Sequence, residues 1–264
     1  MVRIVDAAAE QLTALQKRDI RQLPPYSIAH FGQDAHVIDR ENGIFAVADG
    51  VGSRPYSDLA AREVLSMFTR SFAARGMPRD AAGARERIQD GLIDRLQQAA
   101  ALTEGATTLT GMIITPDGYA TYMNVGDSQF LIRRPAQVIR QTSEQSLKQG
   151  SFDQRYYGLY NFFGMVPGYD PSVPPRQLTE LPNTHTISEG TEWGSVELER
   201  GDRLILVTDG VTGDRQDERL SELEWMSFTR RTLGAQACAH ALAYYSRKID
   251  DTTAVVVDIG RSGK

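Results

Sequence analysis

Five aspartates, Asp34, Asp49, Asp127, Asp209 and Asp250, lie in or beside short β-type segments flanked by Gly or Thr. Taken singly, each reads as a turn residue. Together they raise a different chemistry, because crowded carboxylates repel and raise one another's pKa unless cations neutralise them. If these segments converge, a metal centre is the economical arrangement. Oxygen donors select hard ions, and with no His/Cys cluster in the chain, magnesium or manganese is expected ahead of zinc. His30, His36, His185 and His240 are scattered without a ligand spacing such as His-x-x-x-His. His30 and His36 flank Asp34, so a proton-transfer role stands beside an ordinary surface or core placement.

Asp49 is the organising residue. It ends the apolar run Phe45-Ala46-Val47-Ala48 and enters the turn Gly50-Val51-Gly52. A carboxylate at the end of a buried strand is held by rigid backbone yet faces solvent. Residues 27–39 and 43–48 read as two strands joined at Arg40-Glu41-Asn42-Gly43, which carries Asp34 and Asp49 to one edge. Leu204-Ile205-Leu206-Val207 runs likewise into Asp209-Gly210, repeating the pattern of Ala48-Asp49-Gly50. Asp127 occupies a tight turn in a three-stranded meander spanning 107–133. Asp250 and Asp251 precede a last strand at 254–257.

Helices must cover these strands. Ser57 reads as an N-cap, with Ala60, Val64, Met67, Phe68 and Phe72 on one face. A second helix starts near Ala81 and places Ile88, Leu92, Leu96 and Ala100 on one stripe. Two more are expected at 218–232 and 235–247. At the N-terminus, Ala8, Leu12, Leu15 and Ile20 have roughly helical spacing before Pro24-Pro25, so residues 1–25 are expected to form a helical extension. Residues 26–264 then make one domain with a flap at 143–195. That stretch is rich in Gly and Pro and carries Tyr156, Tyr157, Tyr160, Phe162 and Phe163. Its aromatics suit a packed flap, with a base-stacking platform as the alternative.

Composition excludes several classes. A net charge of -5 over 264 residues, without a long Lys/Arg run, argues against nucleic acid as a partner. No stretch approaches the ~18 apolar residues of a membrane span. Cys238, the single cysteine, can form neither an intramolecular disulfide nor a thiolate zinc site, and its apolar neighbours mark it as core filler. Asp6, Glu10 and Asp19 suit neither a signal peptide nor a transit peptide. A cytoplasmic monomer is expected.

Six blocks, in order, resemble the type 2C metal-dependent protein serine/threonine phosphatases: Gln33-Asp34-Ala35, Ala48-Asp49-Gly50-Val51-Gly52, Gly105-Ala106-Thr107-Thr108-Leu109, Asn124-Val125-Gly126-Asp127-Ser128, Thr208-Asp209-Gly210 and Asp250-Asp251-Thr252-Thr253. The resemblance implies an α+β, four-layer α-β-β-α sandwich of two antiparallel sheets flanked by antiparallel helix pairs. It also implies two divalent cations, manganese or magnesium, at one edge. Asp49 would bridge both, with the Gly50 carbonyl on one and Asp209 and Asp250 on the other. Asp34 would act through water, and Asp127 would serve a weaker third cation with Asp209 and Asp214. The implied reaction is hydrolysis of phosphoserine or phosphothreonine in a protein by water shared between the ions.

The chain also departs from the pattern. Ala29 stands where the family usually has a phosphate-holding Arg, leaving His30 and Arg54 as substitutes. Gln33 replaces a common acidic residue, Ser53-Arg54 replaces Gly-His, and Gly213 falls where a third-site carboxylate is usual. These features mark a divergent branch. They keep two alternatives open, a catalytically weak regulatory or phosphoprotein-binding protein and a phosphatase of small phosphate esters.

Overall fold

Ile44-Phe45-Ala46-Val47-Ala48 and Leu204-Ile205-Leu206-Val207 are apolar at every position, a pattern that suits strands buried on both faces. A computed structural model of the chain bears this out; it describes residues 2–13, 16, 32–52, 56–135, 137–143, 146–147, 158–159, 163–164, 191–213, 219–248 and 250–261. The strands are β1 (Val2–Leu12), β2 (Ala35–Asp39), β3 (Ile44–Ala48), β4 (Ala106–Thr107), β5 (Leu109–Ile114), β6 (Tyr119–Val125), β7 (Gln129–Arg134), β8 (Gln137–Gln141), β9 (Ser146–Leu147), β10 (Gly158–Leu159), β11 (Phe163–Gly164), β12 (Glu192–Glu197), β13 (Arg203–Val207) and β14 (Thr252–Arg261). The helices are α1 (Ser57–Ala73), α2 (Ala81–Gln89), α3 (Leu92–Ala101), α4 (Asp209–Thr212), α5 (Glu222–Phe228) and α6 (Ala235–Tyr245).

Two five-stranded antiparallel sheets stack face to face. One runs β1-β14-β13-β7-β8 and the other β12-β6-β5-β3-β2. Phe45 and Val47 of β3 meet Leu204 and Leu206 of β13 and Val255 and Val257 of β14 in the core between the sheets. The alternate residues face outward, as the two-residue strand period requires. Ile44, Ala46 and Ala48 pack under α1 and α3, whose Phe68, Phe72 and Leu96 close that layer. Ile205, Val207, Ala254 and Val256 pack under Cys238, Ala239 and Leu242 of α6. The result is the α-β-β-α sandwich. No helix among the described residues is long and apolar enough to cross a membrane.

Three local expectations need correction. Residues 2–12 are a strand, not a helical extension. Val2 to Leu12 pair antiparallel with Arg261 to Thr252, Ala7 is buried between the sheets and Ala8 packs toward α6. The alanines favour helix by propensity, but a long edge ladder and two-faced burial override it. Ser57 is not the cap of α1. The cap is Tyr56 in the left-handed region, and Ser57 Oγ instead donates to the Val51 carbonyl at 2.8 Å. The helix expected from Ala81 breaks into α2 and α3 at Gly91, whose φ of +65° lies where a Cβ is disfavoured. The predicted flap falls mostly outside the described residues.

Candidate metal centre

The backbone after β3 is anchored before its side chain does anything. The Asp49 N–H donates to Thr108 Oγ1 at 3.1 Å, and its carbonyl accepts from Thr107 Oγ1 and the Thr108 N–H, both at 2.9 Å. The next residue has to be glycine. A Cβ on Gly50 would lie 2.8 Å from Gln33 Cβ and 2.9 Å from the Gln33 carbonyl, so this backbone presses directly on the segment that carries Asp34. Gly210 does the same on the other sheet, where a Cβ would lie 1.7 Å from the Asp251 carbonyl. Each Asp-Gly pair thus supplies an acid on its first residue and a close backbone approach on its second. The approach draws the acid-bearing segments together.

Thr108 extends the framework. Its Oγ1 also meets Ser128 Oγ at 2.9 Å, which ties the Asp127 turn between β6 and β7 to the anchor of Asp49. Asp34 is gripped from the opposite sheet. Its Oδ2 accepts from Thr208 Oγ1 and Thr253 Oγ1, each at 2.8 Å, and its carbonyl accepts from Gln11 Nε2 at 2.7 Å. Asp251 Oδ2 accepts the Gln33 N–H at 2.8 Å and the Gly32 N–H, closing the loop before β2 onto β14.

Carboxylate oxygens of Asp49, Asp127 and Asp209 all lie within 4.8 Å of one another. Asp34 Oδ1 and Asp209 Oδ1 are buried without a hydrogen-bond partner. Burial pushes the Asp34 carboxyl up to about 7, helped by the charges of Asp251 and Asp250 and opposed by the two threonine hydroxyls. Burial likewise holds Asp49 well above the usual carboxylate range, with the charges of Asp34, Asp209 and Asp250 adding to it. Asp250 is also raised by burial, against the pull of Lys248. Lys248 Nζ pairs with Asp209 Oδ2 and lies 3.0 Å from Asp250 Oδ2. An all-oxygen donor set, with buried oxygens lacking donors and charges that resist ionisation together, fits a hard divalent cation.

The residues singled out by sequence fall unevenly around this point. Asp49, Asp127 and Asp209 form the closest group, so Asp127 belongs beside Asp49 and Asp209. Asp250 stands next to the group. Its Oδ1 accepts the Asp251 N–H at 2.9 Å and its Oδ2 faces Lys248. Asp34 closes the floor between the sheets. His36 is exposed and its Nδ1 meets Gln11 Oε1 at 3.0 Å. His30, Arg54 and Asp214 lie outside the described residues.

Five residues went unassigned by sequence: Gln11, Thr208, Lys248, Asp251 and Thr253. The threonines carried a signal, since Thr208-Asp209-Gly210 and Asp251-Thr252-Thr253 set hydroxyls beside acids at both strand ends. Gln11 carried none, because its strand reads as a helix.

Comparison with known proteins follows the same outline. The family model for protein phosphatase 2C matches residues 29–245. Among solved structures, the chain is similar to the PPM Ser-Thr phosphatase MsPP from Mycobacterium smegmatis in complex with cacodylate. Identity there is 21%, coverage 97% of this chain and 99% of that one, and the TM-score 0.62. It is similar to the Mycobacterium tuberculosis serine/threonine phosphatase PstP/Ppp at 17% identity, 98% and 99% coverage and a TM-score of 0.61. The catalytic domain of PstP in complex with two manganese ions gives 16% identity, 99% and 100% coverage and a TM-score of 0.62. No curated protein sequence matches. Lys248, Asp250 and Asp251 lie beyond the end of the family match.

Proposed function

The chain belongs to the protein phosphatase 2C family, and from that premise we propose that it hydrolyses phosphoserine and phosphothreonine in proteins, dependent on manganese or magnesium. The observation that carries the proposal is the meeting of Asp49, Asp127 and Asp209 within 4.8 Å, each brought in from a different strand end. The two manganese ions of the PstP catalytic domain support it from a protein of similar fold.

In this reading Asp49, Asp209 and Asp250 with the Gly50 carbonyl would hold two divalent cations, and Asp127 with Asp209 and Asp214 would serve a third. Such ions supply a water acidic enough to ionise near neutral pH and the positive charge that offsets the phosphate. The protein's part is positioning. Thr208 and Thr253 fix Asp34 Oδ2, which leaves Asp34 Oδ1 free of donors and able to accept a proton of a water held there. Thr107 and Thr108 fix the Asp49 backbone, which sets the point from which its carboxylate reaches into the site. Phosphate is held by His30 or Arg54 in place of the Arg that Ala29 replaces.

A second reading has its own support. Lys248 already neutralises part of Asp209 and Asp250, which favours a catalytically weak protein that binds phosphoproteins. One assay separates the two. Hydrolysis of a phosphothreonine peptide and of para-nitrophenyl phosphate is followed across a manganese titration for the parent and Asp209→Asn. The proposal expects peptide hydrolysis that rises with manganese and falls ~100-fold or more in the variant, the scale of losing transition-state charge stabilisation. A parent inactive in saturating manganese, or a variant equal to it, sinks the enzyme. Activity on the small ester alone points to a small-molecule phosphatase.

A further inference from the structure

We infer that Lys248 is an internal cation that competes with a divalent ion for Asp209 and Asp250, so that this chain binds its ions with unequal strength. The inference rests on the metal-dependent reading above and concerns a residue outside the family match. Lys248 Nζ pairs with Asp209 Oδ2 and approaches Asp250 Oδ2 to 3.0 Å. The side chains of Lys248 and Asp209 are only 12% and 13% exposed, so water screens this pairing little. The two acids divide their oxygens differently. Asp209 gives Oδ2 to Lys248 and keeps Oδ1 buried without a hydrogen-bond donor. Asp250 has both oxygens engaged, Oδ1 by the Asp251 N–H and Oδ2 by Lys248.

The consequence is an asymmetry between ions. One held by Asp49 and the Gly50 carbonyl, or one that takes Asp209 through Oδ1 alone, leaves the lysine pairing in place. One that takes Asp250 Oδ2 must displace the ammonium or share an oxygen with it, against like-charge repulsion at close range. Binding there is weakened in proportion to what the lysine gains from the two carboxylates.

The test is a manganese titration of the whole chain, read by the electron paramagnetic resonance signal of free Mn²⁺ and by calorimetry, on the parent, Lys248→Met, Lys248→Gln and Lys248→Arg. The parent is expected to bind in a tighter and a weaker step. Either neutral variant should tighten the weaker step about tenfold or more and the tighter step less, while Lys248→Arg stays with the parent. Melting curves in chelator establish which variants fold, and Lys248→Gln carries the test if Lys248→Met does not. Melting curves repeated with manganese in place of chelator should show a larger manganese-induced rise in Tm for the neutral variants. A parent that binds no manganese overturns the metal reading itself. A parent that binds, with neutral variants unchanged or weaker, overturns the competition and makes Lys248 a clamp that aims Asp209.

Discussion

Replacing Asp34 with Asn isolates the electrostatic strain of the site in one buried group. The Asp34 carboxyl is pushed from 3.8 to about 7 in the folded protein. A rise of about 3 pH units, at 1.36 kcal/mol per unit, amounts to on the order of 4 kcal/mol of linked stability. The sign follows from the direction of the shift. The folded protein holds this proton more tightly than the unfolded chain, so the group's contribution is present below about pH 4 and is lost as pH rises through about 7. Asn keeps a carbonyl oxygen for Thr208 and Thr253 but places an amide where Oδ1 has no partner, at a cost of about 1–3 kcal/mol. In chelator, Asp34→Asn should therefore be less stable than the parent by about 1–3 kcal/mol near pH 4 and more stable by about 1–3 kcal/mol near pH 8. Urea unfolding at both pH values, with equal m-values for the two proteins, measures this directly. Parallel pH profiles for parent and variant would refute the buried, strained carboxylate.

Gly210→Ala should cost several kcal/mol and most of the manganese affinity, because its Cβ would lie 1.7 Å from a backbone carbonyl that carries the 250–251 segment; a Tm and a manganese isotherm close to the parent's would contradict the close approach. Arg203→Met strands Asp258, which accepts from Arg203 Nε and Nη2 at 2.7 and 2.8 Å, and should destabilise by about 3 kcal/mol. Arg231, 3.3 Å from the same carboxylate, keeps that loss at the low end of the buried-pair range, and metal affinity should be unchanged in the folded fraction. Removal of residues 1–12 should expose the β14 edge and release the Gln11 contact to Asp34, giving an aggregating or molten protein. Retention of a cooperative melt at the parent's Tm would show the segment to be an appendage after all.

Legibility from the sequence tracked how much of each signal was local. The runs at 44–48 and 204–207 announced two-faced burial in their own residues, and the acids at their ends were placed without further help. Asp127 taken singly was legible as a turn residue, and only the ordered set of acids pointed it to a cation; its place in the closest group depends on Thr108 reaching both Asp49 and Ser128 across the sheet. The N-terminal strand was misread for a similar reason. Ala7-Ala8-Ala9 has no intrinsic demand for β structure, and its conformation is dictated by β14, which lies at the far end of the chain. Lys248 shows the limit most sharply. A lone lysine two residues before an acid reads as solvated surface, and only the packing of β14 against α4 turns it into the counter-charge of Asp209 and Asp250. The acids of this site were therefore written in the sequence, whereas the charges and hydroxyls that tune them arise from contacts between distant segments. Substitutions at Gln11, Thr108 and Lys248 are accordingly expected to shift metal affinity and its pH dependence while leaving the four-layer fold in place.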